Sequence, residues 1–270
     1  MKEGRMLNKK ESVLWNINVG GGCRKLGISC RREYHEAVPG QFVMLGLSDP
    51  SAFILRRPFS IHRLIKDHGE TTGIEILYKV VGNVTRLFSN CQKGDRIDVL
   101  GPLGKGFSLP ETLGRPLFLV GGGIGVAPML FLAEFLLEKK TDPKDCLIFL
   151  GGRSSEDILL GDEFKHLGMD AQVATDDGSL GQKGFVTDAL ETEIQKNPPA
   201  IIYACGPPGM LKRVSEISEK YAAPCQVSME TIMACGMGAC MGCATSHKTE
   251  DRYLHMCLDG PVFDPAVLKM

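Results

Sequence analysis

The constraint that bears hardest on this chain lies near its end, where Cys235-Gly-Met-Gly-Ala-Cys240-Met-Gly-Cys243 is followed by Cys257. Three thiols at C-x-x-x-x-C-x-x-C spacing, and a fourth after thirteen intervening residues, have to meet on one small core. That is the ligand rhythm of a plant-type 2Fe–2S cluster. A loop so tight has little room for side chains, and Gly236, Gly238 and Gly242 supply its turns. Their N–H groups can also donate to sulfur, which tunes the potential. Zinc is the main rival, since four thiolates suit it too, but structural zinc sites usually show two C-x-x-C knuckles and this run has one. Disulfides are the other rival. The opening Met1-Lys2-Glu3-Gly4-Arg5 has no apolar signal segment, so a reducing, cytoplasmic setting is expected.

The chain's 270 residues leave room for two ordinary domains and a small appendage. A net charge of −1 gives no reason to expect a nucleic-acid partner or an anionic membrane surface. Of the ten cysteines, Cys23, Cys30, Cys91, Cys146 and Cys225 read as small apolar residues in a reducing compartment. The segment from Leu117 to Phe135 is long and apolar enough to span a bilayer. It contains Gly121, Gly122, Gly123, Gly125 and Pro128, however, and divides into a strand, a glycine turn and a helix. No membrane span is expected.

From Ser12 to about Val99, short β-rich runs at 13–17, 41–45, 59–65, 73–81 and 95–100 are separated by turn residues. Strands this short and regular, with no long helix between them, predict an antiparallel barrel. One short helix is expected near Asn83 or Val84. After Leu113 the period changes. Apolar strands at 116–120, 146–150, 171–175 and 200–204 alternate with helices at 127–139, 155–167, 187–196 and 209–221. That alternation predicts a parallel sheet covered on both faces, with 226–228 as one more strand. The expected organisation is α+β and multidomain: a barrel over 1–112, a parallel α/β domain over 113–228 and a cluster module over 229–270.

Each half carries a motif with chemistry in it. In Arg56-Arg57-Pro58-Phe59-Ser60, Pro58 stiffens the backbone and Arg57 can fork onto a pyrophosphate. Ser60 offers an N–H and a hydroxyl to a flavin ring, although an edge strand with two solvated arginines reads the same way. Leu77-Tyr78-Lys79-Val-Val-Gly82-Asn-Val84-Thr85 runs into a helix N-terminus, where free N–H groups favour phosphate. Gly101-Pro102-Leu103-Gly104 closes the barrel with a tight turn. In the second half, Gly121-Gly122-Gly123-Ile124-Gly125-Val-Ala127-Pro128 lets the backbone approach a dinucleotide at the carboxyl edge of the sheet. Its spacing is not that of an ordinary G-x-G-x-x-G turn. Two more strand ends, Ala174-Thr175-Asp176-Asp177 and Cys205-Gly206-Pro207-Pro208, point to the same edge. Asp176 and Asp177 are poor neighbours for a 2′-phosphate, which favours NADH over NADPH.

The order RPxS, YK-x-x-G-x-x-T, GPLG, then GGxGxAP resembles the ferredoxin-reductase superfamily. With the cysteine run and Cys257-Leu-Asp-Gly-Pro-Val-Phe263 behind it, nearly the whole chain resembles the electron-transfer subunits of NAD-dependent dihydroorotate dehydrogenases. The resemblance implies cluster ligation by Cys235, Cys240, Cys243 and Cys257. It places FAD contacts at Arg57, Pro58, Phe59, Ser60, Leu77, Tyr78, Lys79, Gly82, Val84 and Thr85. It places NAD(H) contacts at Gly122, Gly123, Gly125, Asp176, Cys205, Gly206 and Pro207, with Cys205 beside the nicotinamide. Val84 and Lys105 depart from the family pattern, where glycine and a G-N-G turn are common. The implied activity is a relay between NAD(H), FAD and the cluster, joined to an FMN-containing catalytic subunit of pyrimidine biosynthesis in a heterotetramer with two of each chain.

The orotate chemistry belongs to that partner, so no catalytic base is assigned here, and His62, His166 and His247 read as surface or packing residues. Met237 and Met241 in the cysteine loop are an apt contact surface, or simply shield the cluster. Two alternatives stay open: a ferredoxin or sulfur-compound reductase subunit of the same architecture, and a redox sensor without enzymatic activity.

Overall fold

Seven antiparallel strands form the first half of the computed structural model, which describes residues 7–30, 32–47, 55–110 and 114–270. They are β1 (Leu7–Gly20), β2 (Cys23–Ser29), β3 (Phe42–Leu47), β4 (Arg57–Ser60), β5 (Arg63–Asp67), β6 (Glu70–Lys79) and β7 (Arg96–Leu103). Their order in the sheet is β4-β3-β7-β1-β2-β6-β5. The two edge strands are consecutive in the chain, separated only by Ile61 and His62. Ile61 N donates to Gln41 O at 3.0 Å and His62 N donates to Glu75 O at 2.9 Å, so this corner ties both ends of the sheet together. A barrel results, and its unpaired edges are covered.

That corner corrects the single strand expected over 59–65, which is two strands meeting at a bend. β2 was not expected at all. The adjacent cations Arg24 and Lys25 interrupt its apolar pattern; Lys25 is satisfied by a distant part of the chain and Arg24 by the paired strand β1. Lys25 Nζ pairs with Glu163 Oε1 at 2.7 Å, and Arg24 Nε donates to Asn16 Oδ1 at 3.1 Å. Inside the barrel, Val13, Leu26, Ile28, Val43, Leu45, Ile74, Ile76, Ile97 and Val99 form one buried cluster. Helix α1 (Asn83–Ser89) caps it with Phe88.

The second half is built on β8 (Leu117–Gly122), β9 (Cys146–Gly152), β10 (Ala171–Thr175), β11 (Gln182–Lys183), β12 (Ile201–Cys205) and β13 (Cys225–Ser228). These strands are parallel, in the order β11-β10-β9-β8-β12-β13. Around them lie α2 (Ala127–Glu138), α3 (Gly161–His166), α4 (Val186–Lys196) and α5 (Pro208–Lys220). The helix expected over 155–167 is shorter than its pattern suggests. Leu160 sits at φ 65, which breaks the helical hydrogen-bond ladder and leaves a 3-10 turn over Ser155–Asp157 before α3 begins. No helix among the described residues is long and apolar enough to cross a membrane; the apolar run from Leu117 divides into β8, the glycine turn and α2.

After β13 the chain forms the cysteine loop and a small hairpin, β14 (Ala244–Ser246) with β15 (Tyr253–His255). It then returns as β16 (Val262–Phe263), antiparallel to β13, at the edge of the large sheet. The expected boundary between residues 112 and 113 lies outside the described residues.

Helix α2 joins the halves. It is apolar almost all round because it is buried on both sides: Leu130 and Leu132 pack on the parallel sheet while Phe131 enters the barrel cluster. Its flank carries ion pairs to β5, Arg63–Glu134 at 2.7 Å and Lys66–Glu138. His62, fully buried, donates from Nδ1–H to the Ala127 carbonyl at 2.6 Å. Burial lowers its pKa to about 3, so it is a neutral packing residue at this junction.

Candidate nucleotide cleft and cysteine loop

Between the barrel and the carboxyl ends of the parallel strands opens a cleft of about 1510 Å³. Single small-ligand pockets run to roughly 300–1,000 Å³, so this one has room for parts of two ligands. The barrel contributes Arg57, Pro58 and Lys79. The parallel sheet contributes Gly122, Gly123 and Gly125 from the end of β8, Gly152 and Arg153 from β9, Asp176 from β10, and Gly206 and Pro207 from β12. Four separate strand ends thus meet at one edge, where open α/β sheets bind ligands. The first glycine turn is pressed against the last. A Cβ on Gly125 would stand 2.5 Å from the Cys205 carbonyl oxygen and 2.5 Å from Gly206 Cα.

The remaining expected contacts do not line this cleft. Phe59 turns to the barrel cap, edge-on to Tyr78 at 5.9 Å and to Phe88 at 5.7 Å. Ser60 is half-buried in β4. Leu77 and Tyr78 are buried; burial pushes the Tyr78 phenol up to about 12, and its hydroxyl donates to Asn16 Oδ1 at 3.2 Å. Thr85 uses its hydroxyl locally. Its Oγ1 accepts from Val81 N at 2.9 Å and Gly82 N at 3.0 Å, the two amides just before the helix. Val84, like Gly82, is outside the cleft lining. Cys205 is buried behind the Gly206–Pro207 turn, and burial, with Glu230 nearby, pushes its thiol up to about 12.

Other residues in the cleft were not assigned from sequence. Met229, Glu230, Thr231, Ile232 and Met233 line it, immediately before the cysteine loop. Solvent reaches Glu230 through the opening, yet surrounding protein hems in its carboxyl and pushes its pKa up. Asp157 is there too, accepting from Lys79 Nζ at 2.9 Å across the two halves. One local signal was available: Gly151-Gly152 ends β9 as Gly121-Gly122 ends β8, at the same edge.

The cysteine loop docks on the barrel. Gly236, at φ 73, has its Cα so near Met44 that a Cβ would lie 2.6 Å from Met44 Cγ. Its four sulfurs form two pairs. Cys243 and Cys257 Sγ are 3.2 Å apart, and the Cys240 thiol is in hydrogen-bond contact with Cys235. Among the described residues no three His, Cys, Asp or Glu side chains converge as a single metal ion would need, whereas two pairs match two irons. Backbone amides already face the sulfurs: Gly238 N to Cys257 at 3.1 Å, Met237 N to Cys235 at 3.4 Å and Gly242 N to Cys240 at 3.5 Å. Burial opposes ionisation of Cys235, but the Met237 amide, the Cys240 thiol and the Cys240 and Ala239 amides outweigh it and hold its thiol down to about 6. Burial and the Cys243 thiol push Cys257 up to about 12, a cost that a bound metal removes. The donor set fits a 2Fe–2S cluster.

Two family descriptions match the chain: "Oxidoreductase NAD-binding domain" over residues 119–216, and "Iron-sulfur cluster binding domain of dihydroorotate dehydrogenase B" over 230–268. Among curated proteins, the dihydroorotate dehydrogenase B (NAD(+)) electron transfer subunit of Fusobacterium nucleatum is 41% identical over 252 residues, covering 92% of this chain and 93% of its own. The subunit of the same name from Desulforamulus reducens is 38% identical, covering 84% and 85%. Among solved structures, that of the NADH-dependent reduced ferredoxin-NADP oxidoreductase superposes with a TM-score of 0.82 at 29% identity, covering 96% of this chain and 89% of that one. A Neisseria gonorrhoeae ferredoxin NADP+ reductase with bound FAD and NADP shares the fold, with a TM-score of 0.64 at 21% identity over 79% of this chain and 91% of that one.

Proposed function

This chain belongs to the family of electron transfer subunits of NAD(+)-dependent dihydroorotate dehydrogenase B, and we propose that its cleft and its cysteine loop divide the family's task between them. The protein is an oxidoreductase subunit that moves electrons between NAD(H) and a catalytic dihydroorotate dehydrogenase subunit in pyrimidine biosynthesis. When bound, FAD supplies the exchange between two-electron and one-electron transfer, and the 2Fe–2S cluster supplies single-electron transfer. The reading of a ferredoxin or sulfur-compound reductase subunit is not favoured, because the curated relatives carry the dihydroorotate dehydrogenase name.

One observation carries the division of labour. The segment Met229–Met233 lines the cleft, and two residues later Cys235 opens the cysteine loop. A single stretch of backbone therefore keeps the nucleotide sites and the cluster ligands close. On the barrel side, Arg57 offers positive charge to a flavin pyrophosphate, Pro58 stiffens the wall, and Lys79 lines it with its ammonium held by Asp157; Phe59, Leu77, Tyr78 and Thr85 hold that wall in shape from behind. On the sheet side, Gly122, Gly123 and Gly125 admit the backbone of NAD(H), Gly206 and Pro207 flank its nicotinamide, and Asp176 faces its adenosine ribose. Cys235, Cys240, Cys243 and Cys257 hold the cluster. The functional units are 1–112, 113–228 and 229–270, although β16 makes the last share a sheet with the second. The setting is cytoplasmic, and the assembly contains two copies of each subunit, the catalytic one bearing FMN. Met237 and Met241, 41% and 50% exposed beside the ligands, form an adaptable apolar surface for that partner.

The decisive assay is NAD-dependent oxidation of dihydroorotate by each subunit alone and by the mixture. Activity with NAD is expected only from the mixture; orotate formation by this chain alone would refute the assignment. Arg57→Ala tests the flavin wall separately. Losing a charge-assisted contact of roughly 1.5–3 kcal/mol should weaken FAD retention by about 10- to 100-fold. Flavin released during gel filtration measures this, and undiminished retention would remove Arg57 from the site.

A further inference from the structure

The position of Asp157 goes beyond a contact between domains. It lies just past β9 and takes two cations on one carboxylate. Oδ1 accepts from Lys79 Nζ at 2.9 Å, while Oδ2 accepts from Arg153 Nε and from Arg153 N, each at 3.3 Å. Four cationic side chains line the cleft among the described residues: Arg57, Lys79, Arg153 and Arg213. Asp157 occupies two of them, and Glu191 holds Arg213 at 2.8 Å.

The sheet order says which end of a dinucleotide Arg153 would meet. The nicotinamide must face the flavin across the turns of β8 and β12, next to the barrel wall at Arg57 and Pro58. The strands run β12, β8, β9, β10, so the adenosine half extends toward the ends of β9 and β10. There Asp176 N donates to Gly152 O at 3.0 Å and Asp177 N donates to Arg153 O at 3.1 Å, joining the two turns into one wall. Arg153 is 81% exposed on that wall, so a phosphate could reach its guanidinium if the fork were turned toward it. A 2′-phosphate needs such a fork, and Asp176 beside it adds a like charge against that phosphate.

We propose that Asp157 is a specificity-positioning residue, which withholds the Arg153 guanidinium from the adenosine 2′ position and so makes the cleft select NADH over NADPH. It rests on the reading of this cleft as the NAD(H) site. Selectivity here comes from denial of a partner rather than from added attraction to NADH. The carboxylate does this at little cost, because Lys79 needs the same counter-ion to hold the barrel against the sheet.

The test uses Asp157→Asn in the full chain, with 2′-AMP and 5′-AMP as calorimetric probes and NADH and NADPH as reductants in anaerobic stopped-flow. In the variant, 2′-AMP should bind about tenfold or more tightly than in the parent, while 5′-AMP changes far less. The ratio of kcat/KM for NADPH over NADH should rise similarly, through KM. Asp157→Glu should restore the parental ratio, and adding Arg153→Ala to Asp157→Asn should erase the gain. Calorimetry does not depend on flavin, so it decides the matter even if freeing Lys79 loosens FAD. An unchanged 2′-AMP affinity, or a gain that survives Arg153→Ala, overturns the inference. Binding of neither nucleotide to the parent would instead overturn the reading of the cleft, and this inference with it.

Discussion

Cys240→Ala is expected to yield a folded, yellow protein that holds neither iron nor acid-labile sulfide. Cys240 is exposed at the turn of the loop, and its sulfur receives the Gly242 amide at 3.5 Å, so the side chain contributes little to the core. Its removal leaves one pair of sulfurs incomplete, opposite the intact pair of Cys243 and Cys257. Three remaining thiolates would hold the cluster too weakly to retain it. The parent should contain about two irons and two sulfides per chain, and the variant close to none. Electron delivery to the catalytic subunit should fall by at least about 100-fold, while NADH still bleaches the flavin. Metal analysis and the visible spectrum check this directly. One zinc per chain in the parent, with no absorption beyond the flavin, would contradict it and the relay together.

Gly125→Ala is expected to leave both prosthetic groups in place and still disable the nicotinamide site. The added Cβ would meet three backbone atoms of Cys205 and Gly206 at 2.5–2.6 Å, none of which can rotate away. The turn of β8 and the turn of β12 must therefore separate, and both face the cleft. A misplacement on the order of 1 Å at a hydride-transfer site costs about 100-fold. Stopped-flow flavin reduction by NADH should slow by that factor, with FAD and iron content unchanged. A rate within about threefold of the parent would mean that these turns do not position the nucleotide.

The elements legible from sequence were those whose cause is local. β10 spans the expected 171–175, and α2 starts at Ala127 as expected, because an apolar run, a glycine turn and a helical period each involve neighbouring residues. The elements that were not legible depend on partners far away. β2 is hidden by Arg24 and Lys25, and Lys25 becomes acceptable in a strand through Glu163, far along the chain. The bend at Ile61–His62 exists because Gln41 and Glu75 wait at opposite ends of the sheet.

The candidate site divides the same way. Spacing by itself pointed to the cysteine set and the glycine turns, since a cluster or a close backbone approach demands particular residues at particular intervals along one short loop. Only the tertiary structure decided what each exposed group finally faces. It gave Lys79 a carboxylate from the other domain, and it turned the Thr85 hydroxyl back onto its own helix. It buried Cys205 behind the turn that Gly206 and Pro207 present to the cleft, and it brought Glu230 into that cleft. A charge or a thiol carries no record in its neighbours of which distant surface will meet it; that is settled when the barrel and the sheet close on each other.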